Sequence, residues 1–132
     1  MSPKLNPSRF APYLQSVLRI AAAIIFMPHG AQKLLGMFGS DGTAPMLSQM
    51  WVAGVLELVG GALMLLGLFT RPVALVLSGE MAVAYYLAHF PRGRWPILNG
   101  GELAVLFCFV WLFFAAAGPG PWSVDAIVRR RR

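Results

Sequence analysis

The chain has 132 residues, 58% hydrophobic and 12% charged, with a formal net charge of +6. Soluble domains carry about a quarter charged residues, and a chain this short has too little interior for nine Phe, seven Met and four Trp, so part of its surface must meet lipid. The basic excess does not indicate nucleic acid: four of the eleven Lys and Arg form the terminal run Arg129 to Arg132, and the others punctuate apolar segments instead of alternating with aromatics on one face.

The first predicted span covers 13–38. It is too long for a signal peptide, is followed by no small-residue cleavage pattern and leads into further spans, so it is read as retained. Within it, "MPHGAQKL" (27–34) breaks an apolar run with Pro28, His29, Gln32 and Lys33. Arg19, Ala22, Phe26, His29 and Lys33 are spaced 3, 4, 3 and 4 apart, which is one stripe on a helix. Pro28 removes the hydrogen bond to the Ile24 carbonyl and is expected to kink the helix, with Gly30 relieving the crowding.

The second predicted span covers 50–69. Its stripe is Gly54, Glu57, Gly61 and Met64, with small residues that let another backbone approach. "TRP" (70–72) is a tight turn that places Pro72 at a helix start. The third span, 72–90, carries Glu80 and ends at His89. "PRGRWPILNGG" then breaks the chain. The fourth span covers 100–117, with Asn99 and Glu102 opening it and Cys108 inside. That lone cysteine can form no internal disulfide, CxxC pair or Cys-rich zinc site. "GPGPW" stops the helix, and Ser123 is expected to cap a short terminal turn. A partner-docking role for "GPGPWSVD" is the alternative. The arginine tail suits anionic lipid headgroups.

Backbone groups in lipid must be satisfied internally, so the spans are helices. The expected fold is an all-α, integral membrane four-helix bundle. Lys4, Arg9, Arg71 and Arg129 to Arg132 fall on one side, and Lys33, Arg92 and Arg94 on the other. This distribution predicts both termini cytoplasmic. Trp51 and Trp95 then mark the outer interface, and Tyr13 and Trp122 the inner one.

Three of the five acidic residues, Glu57, Glu80 and Glu102, fall in predicted spans. Glutamate at membrane depth is costly and faces a partner or a bundle interior. At about 1.5 Å per residue, His29 and Glu57 share one depth in the outer half, Lys33 lies a turn shallower, and Glu80 lies near the middle. Arg19 is long enough to reach Glu80, so an Arg19–Glu80 ion pair is expected. His29, Gln32, Lys33, Glu57 and Glu102 are expected to line a polar cavity in the outer half. His29 and His89 raise the idea of axial haem ligation, but His89 sits at a helix end, and neither haem nor a metal site is expected.

Several segments together resemble the DoxX family of small four-helix membrane proteins. They are "R" followed by "HGAQKL", then "GVLELVGGALMLLGLFTRP", "NGGELAVLF" and the closing "GPGPWSVD". The resemblance runs from about Arg19 to Asp125 and implies the four-helix membrane fold. Relatives of the thiosulfate:quinone oxidoreductase subunits give the family its name, and some members are linked to sulfur or redox-stress partners. The resemblance therefore implies a quinone-linked redox component of the bacterial inner membrane, with quinone as ligand and a redox or sulfur-metabolism protein as partner. The chain has no Rossmann glycine pattern and no iron–sulfur ligands, so electrons would come from a quinone or a partner's cofactor. The other readings are a non-catalytic membrane scaffold and a small proton-coupled transporter, which would need to form a homo-oligomer.

Overall fold

The computed structural model describes residues 6–132. Lys4, counted above for orientation, lies outside the described residues. The chain is all-helical, and its long helices are α1 (Ala11–Leu35), α2 (Gln49–Leu66), α3 (Thr70–Arg92) and α4 (Glu102–Ala117), followed by a short α5 (Val124–Arg130). The first three are long and apolar enough to cross a membrane, and α4 is a shorter apolar helix. The four-helix expectation is met.

Local chemistry sets the ends. α1 stops at Leu35, short of the expected residue 38, because Gly36 takes the left-handed conformation with φ 66°, a glycine C-cap. It runs unbroken through Pro28. Ser48 starts α2 by accepting the Trp51 N–H at 3.1 Å, as N-cap serines do. Gly67, at φ 69°, ends it. α3 begins at Thr70, with Pro72 in its first turn. The segment before α4 forms a single turn, Pro96–Asn99, which ends at Gly100 with φ 70°. α4 therefore starts at Glu102 rather than at residue 100.

α3 packs most extensively on α4, and α1 on α2. The centre is aromatic on one side and small on the other. Phe26 meets Phe107 and Trp111 with ring centroids 5.0 and 5.3 Å apart, against Ala23, Ala74, Met64 and Leu77. Outside, Leu14, Ile24, Ile25, Leu75, Val76, Phe109 and Phe113 are all exposed. A bundle as apolar outside as inside is built for lipid. Tyr13 and Trp122 lie together at the end that carries both termini, with ring centroids 5.4 Å apart.

Candidate functional site

The site begins where α1 crosses α2. A Cβ on Gly30 would lie 2.5 Å from the Leu58 nitrogen and 2.7 Å from the Gly54 carbonyl oxygen. A Cβ on Gly54 would lie 2.9 Å from Lys33 Cβ. Two glycines thus let the helices touch backbone to backbone, the packing that small residues give inside membranes. The buried line on α1 is Ser16, Arg19, Ala23, Phe26 and Gly30, with Ala22 and Ala31 beside it. Arg19, Ala22 and Phe26 of the expected stripe are buried, but Gly30 sits at the crossing and His29 is turned aside. On α2 the expected stripe is intact: Gly54, Glu57, Gly61 and Met64 are all buried.

Just past the crossing, α2 widens into a π-helical segment at Leu56–Gly60. Such bulges shift the phase of the side chains and recur at functional sites. Here the segment contains Glu57, whose oxygens accept from Lys33 Nζ at 2.5 and 2.6 Å. Glu57 is buried, and the Lys33 side chain keeps 25% exposure. Glu80 enters from α3 with both carboxylate oxygens buried and no hydrogen-bond partner among the described residues. Its closest polar neighbour is the Glu57 carboxyl, within hydrogen-bonding reach when one of the two groups holds a proton, and Lys33 acts on it more weakly. Lys33 thus pairs with one carboxylate, Glu57, while a second, Glu80, lies beside the pair.

From Lys33 a cleft of about 570 Å³ opens at the end opposite the termini, lined by Gln32, Lys33, Thr43, Met50 and the 39–42 turn. Its loop is tied down by the Ala44 N–H, which donates to the Lys33 carbonyl at 2.7 Å. Gln32 Nε2 donates to the Phe38 carbonyl at 3.3 Å. The structure thus gathers Gln32, Lys33, Glu57 and Glu80.

Other expected members stand apart. His29 is half-buried and makes no side-chain hydrogen bond among the described residues. Glu102 is exposed at the start of α4 and closes no cavity. It lies in the first helical turn, where a carboxylate suits the helix dipole.

The expected Arg19–Glu80 pair does not form. Arg19 is fully buried and donates to three backbone carbonyls. Its Nε meets Met64 at 2.8 Å, its Nη1 meets Pro119, and its Nη2 meets Trp122 at 2.6 Å. The stretch "GPGPW" is thus a folded acceptor for a guanidinium fork, as well as a helix stop. Ser123 caps α5 as expected, accepting the Ala126 N–H at 3.1 Å. Asp125 was not anticipated. Its carboxylate accepts the Phe69 and Thr70 N–H groups, each at 2.9 Å, at the start of α3.

A second unanticipated node sits beyond the end of α3. Buried Asn99 donates to Tyr85 Oη at 3.0 Å and to the Gly93 carbonyl at 2.8 Å. It also accepts the Gly101 N–H at 2.8 Å. His89 Nδ1 lies 3.2 Å from the Asn99 carbonyl oxygen, so this histidine belongs to the turn. The signal for the node was an asparagine before paired glycines, which fits a turn that bonds its own backbone.

A family model described as DoxX matches residues 14–90. The chain belongs to the DoxX family. Among relatives of this DoxX protein, a Haemophilus influenzae "Uncharacterized protein" is 43% identical, covering 91% of this chain and 94% of its own length. The Escherichia coli "Inner membrane protein YqjF" is 30% identical, covering 87% and 92%. A Bacillus subtilis relative named "Putative oxidoreductase CatD" is 30% identical, covering 85% and 84%. No solved structure matches. The apolar helices and the relatives' location make this a multi-pass protein of the bacterial inner membrane.

Proposed function

We propose that this DoxX protein is the quinone-linked membrane component of an oxidoreductase assembly, and that its ligand site is the Lys33–Glu57–Glu80 cluster. The observation that carries the reading is Glu80. No donor group reaches its two buried oxygens, and the carboxyl group beside it, Glu57, is already held by Lys33. An orphaned buried carboxylate is costly and marks a functional site in a membrane.

The donor set fits a quinone head. Lys33 Nζ has three protons and is partly exposed, so it can donate to a carbonyl oxygen while holding Glu57. Gln32 lies beside it on the wall of the cleft. When bound, a quinone supplies two-electron, two-proton redox chemistry. Lys33 orients a head-group oxygen, and Glu80 and Glu57 hold or pass protons across the α2–α3 seam. The exposed cleft connects this relay to water. The relative whose printed name contains the word oxidoreductase supports the class of reaction.

The bundle is placed with both termini in the cytoplasm. Arg9, Arg71 and Arg129 to Arg132 then lie inside, and Lys33, Arg92 and Arg94 outside. A cysteine placed at Ser40 should label with a membrane-impermeant thiol reagent in intact cells, and one after Arg132 should not. The reverse pattern inverts the orientation.

Quinone content per purified protein, read by lipid extraction and mass spectrometry, tests the ligand. Wild type should carry quinone. Lys33→Met and Glu80→Gln should each lose most of it, whereas Arg92→Ala should keep it. A wild type that returns only phospholipid from quinone-replete membranes leaves the scaffold reading, for which the satisfied Lys33–Glu57 pair would merely fix helix register.

A further inference from the structure

α2 and α3 run antiparallel in a clear register below the charged cluster. Glu57 acts on Glu80. One rung further from the cluster, Gly60 packs on Leu77: a Cβ on Gly60 would lie 2.8 Å from Leu77 Cδ2. Beyond that, Leu63 sits with Pro72 and Val73. Along these two rungs the helices part into a groove of about 220 Å³, lined by Gly60, Leu63, Pro72, Val73, Val76 and Leu77. Its lining is almost wholly apolar. Leu77 is fully buried at its floor, and Val76, 54% exposed, stands at its lip. The groove therefore opens to the lipid. It starts one turn from the Glu80 carboxylate and runs about 7.5 Å along α3 from Leu77 to Pro72.

Resting on the ligand reading above, we propose that this α2–α3 groove seats the proximal isoprenoid tail of the quinone whose head lies at Lys33 and Glu80. Polar and apolar parts of one molecule are matched in order along a single seam. The orphaned carboxylate and the lysine face the head, and the apolar floor faces the chain. A phospholipid of the leaflet at the Pro72 end can lay an acyl chain in the same groove, but only a quinone would also meet the lysine and carboxylates at its other end. The cluster lies below the membrane surface, and the groove runs from it toward the other leaflet. The glycine is needed at the first rung, since any side chain at position 60 meets Leu77. The groove also gives the ligand a route from the bilayer that does not cross the exposed cleft beside Lys33. Tail length, and not the head alone, then sets affinity.

The test compares long-tailed ubiquinone and menaquinone with their tailless head groups, binding to protein in nanodiscs. Val76→Trp fills the lip of the groove, and its exposure to lipid leaves the core untouched. Leu75→Trp, also exposed but outside the groove, controls for bulk on the lipid face. The expected result is a loss of about tenfold in affinity for the long-tailed ligands in Val76→Trp alone, with the head groups bound equally by all three proteins. Equal long-tail binding in all three proteins overturns the tail groove and leaves the head site standing. No binding of any quinone by wild type overturns both.

Discussion

Near the termini, Arg19 enters the bundle and bonds three backbone carbonyls, with the Asp125 carboxylate nearby but beyond salt-bridge distance. Toward the other end, Lys33 holds Glu57 with both oxygens while Glu80 stands beside the pair with no partner. Both regions take charge into the membrane, at similar cost, and treat it differently. The first is closed on itself in its charges, with the buried Thr70 hydroxyl its one polar atom left without a partner among the described residues. Gln15 donates to the Ala117 and Gly118 carbonyls, the Trp122 N–H donates to Ser16 Oγ, and Asp125 caps α3. The second keeps an acceptor unspent and a cation partly open. A saturated network rigidifies; an unsaturated one has capacity left for a ligand or a proton.

The largest effect should come from breaking the closed end. Arg19→Ala leaves three buried carbonyls without their donor and a void beside Gly67, and should cost about 5 kcal/mol of stability. Arg19→Lys should recover only part of this, because an ammonium cannot span three acceptors as a guanidinium does. Detergent thermal unfolding reads both, and an unchanged melting point for Arg19→Ala would mean that the clamp is idle.

Next comes Lys33→Ala, which strands the buried Glu57 carboxylate and should cost about 3 kcal/mol. If the loss is instead as small as for an exposed surface pair, the cluster is wetter than its burial implies. Asp125→Ala removes both acceptors from the start of α3 and should cost about 1 kcal/mol. Limited proteolysis should then release α5 before the bundle unfolds.

The smallest effect sharpens the contrast most. Glu80→Gln removes a buried charge that no donor satisfies, so stability should stay level or rise by about 1 kcal/mol even as quinone content falls. A marked destabilisation would assign Glu80 to structure, like Arg19.

What the sequence made legible follows from what lipid demands. Long apolar runs, glycine stops and the Gly54–Glu57–Gly61–Met64 stripe all translated directly, because each depends on residue type and spacing. The neighbourhood of Lys33 and Glu57 was also readable, since opposite charges at one depth have few alternatives. Arg19 was misassigned for a physical reason: its partners are carbonyls, which every residue carries and no sequence pattern marks. Glu102 looked buried because it opens an apolar helix, yet α4 begins later than expected and leaves it at the exposed end. His29 failed by a small rotation. The Gly30 crossing fixes the phase of α1, and a helix advances about 100° per residue, so choosing residue 30 over 29 turns the histidine off the seam. The π-helical segment was invisible, since nothing in "LELVG" distinguishes it from an ordinary turn.

The clamp on Arg19 also sets an order of events in synthesis. Its acceptors at Pro119 and Trp122 lie 100 and 103 residues further along, so they are made last, after α1 has reached the membrane. Until then the guanidinium has only the Met64 carbonyl of its three acceptors, and a cation at that depth without its other partners costs a few kcal/mol on insertion scales. A ribosome that stops before Pro119 produces helices that are individually apolar enough to insert but a first helix that cannot settle. Docking of the terminal segment is therefore a completion signal: the nascent chain's seat in the bilayer becomes stable only when translation has run to the end of the bundle.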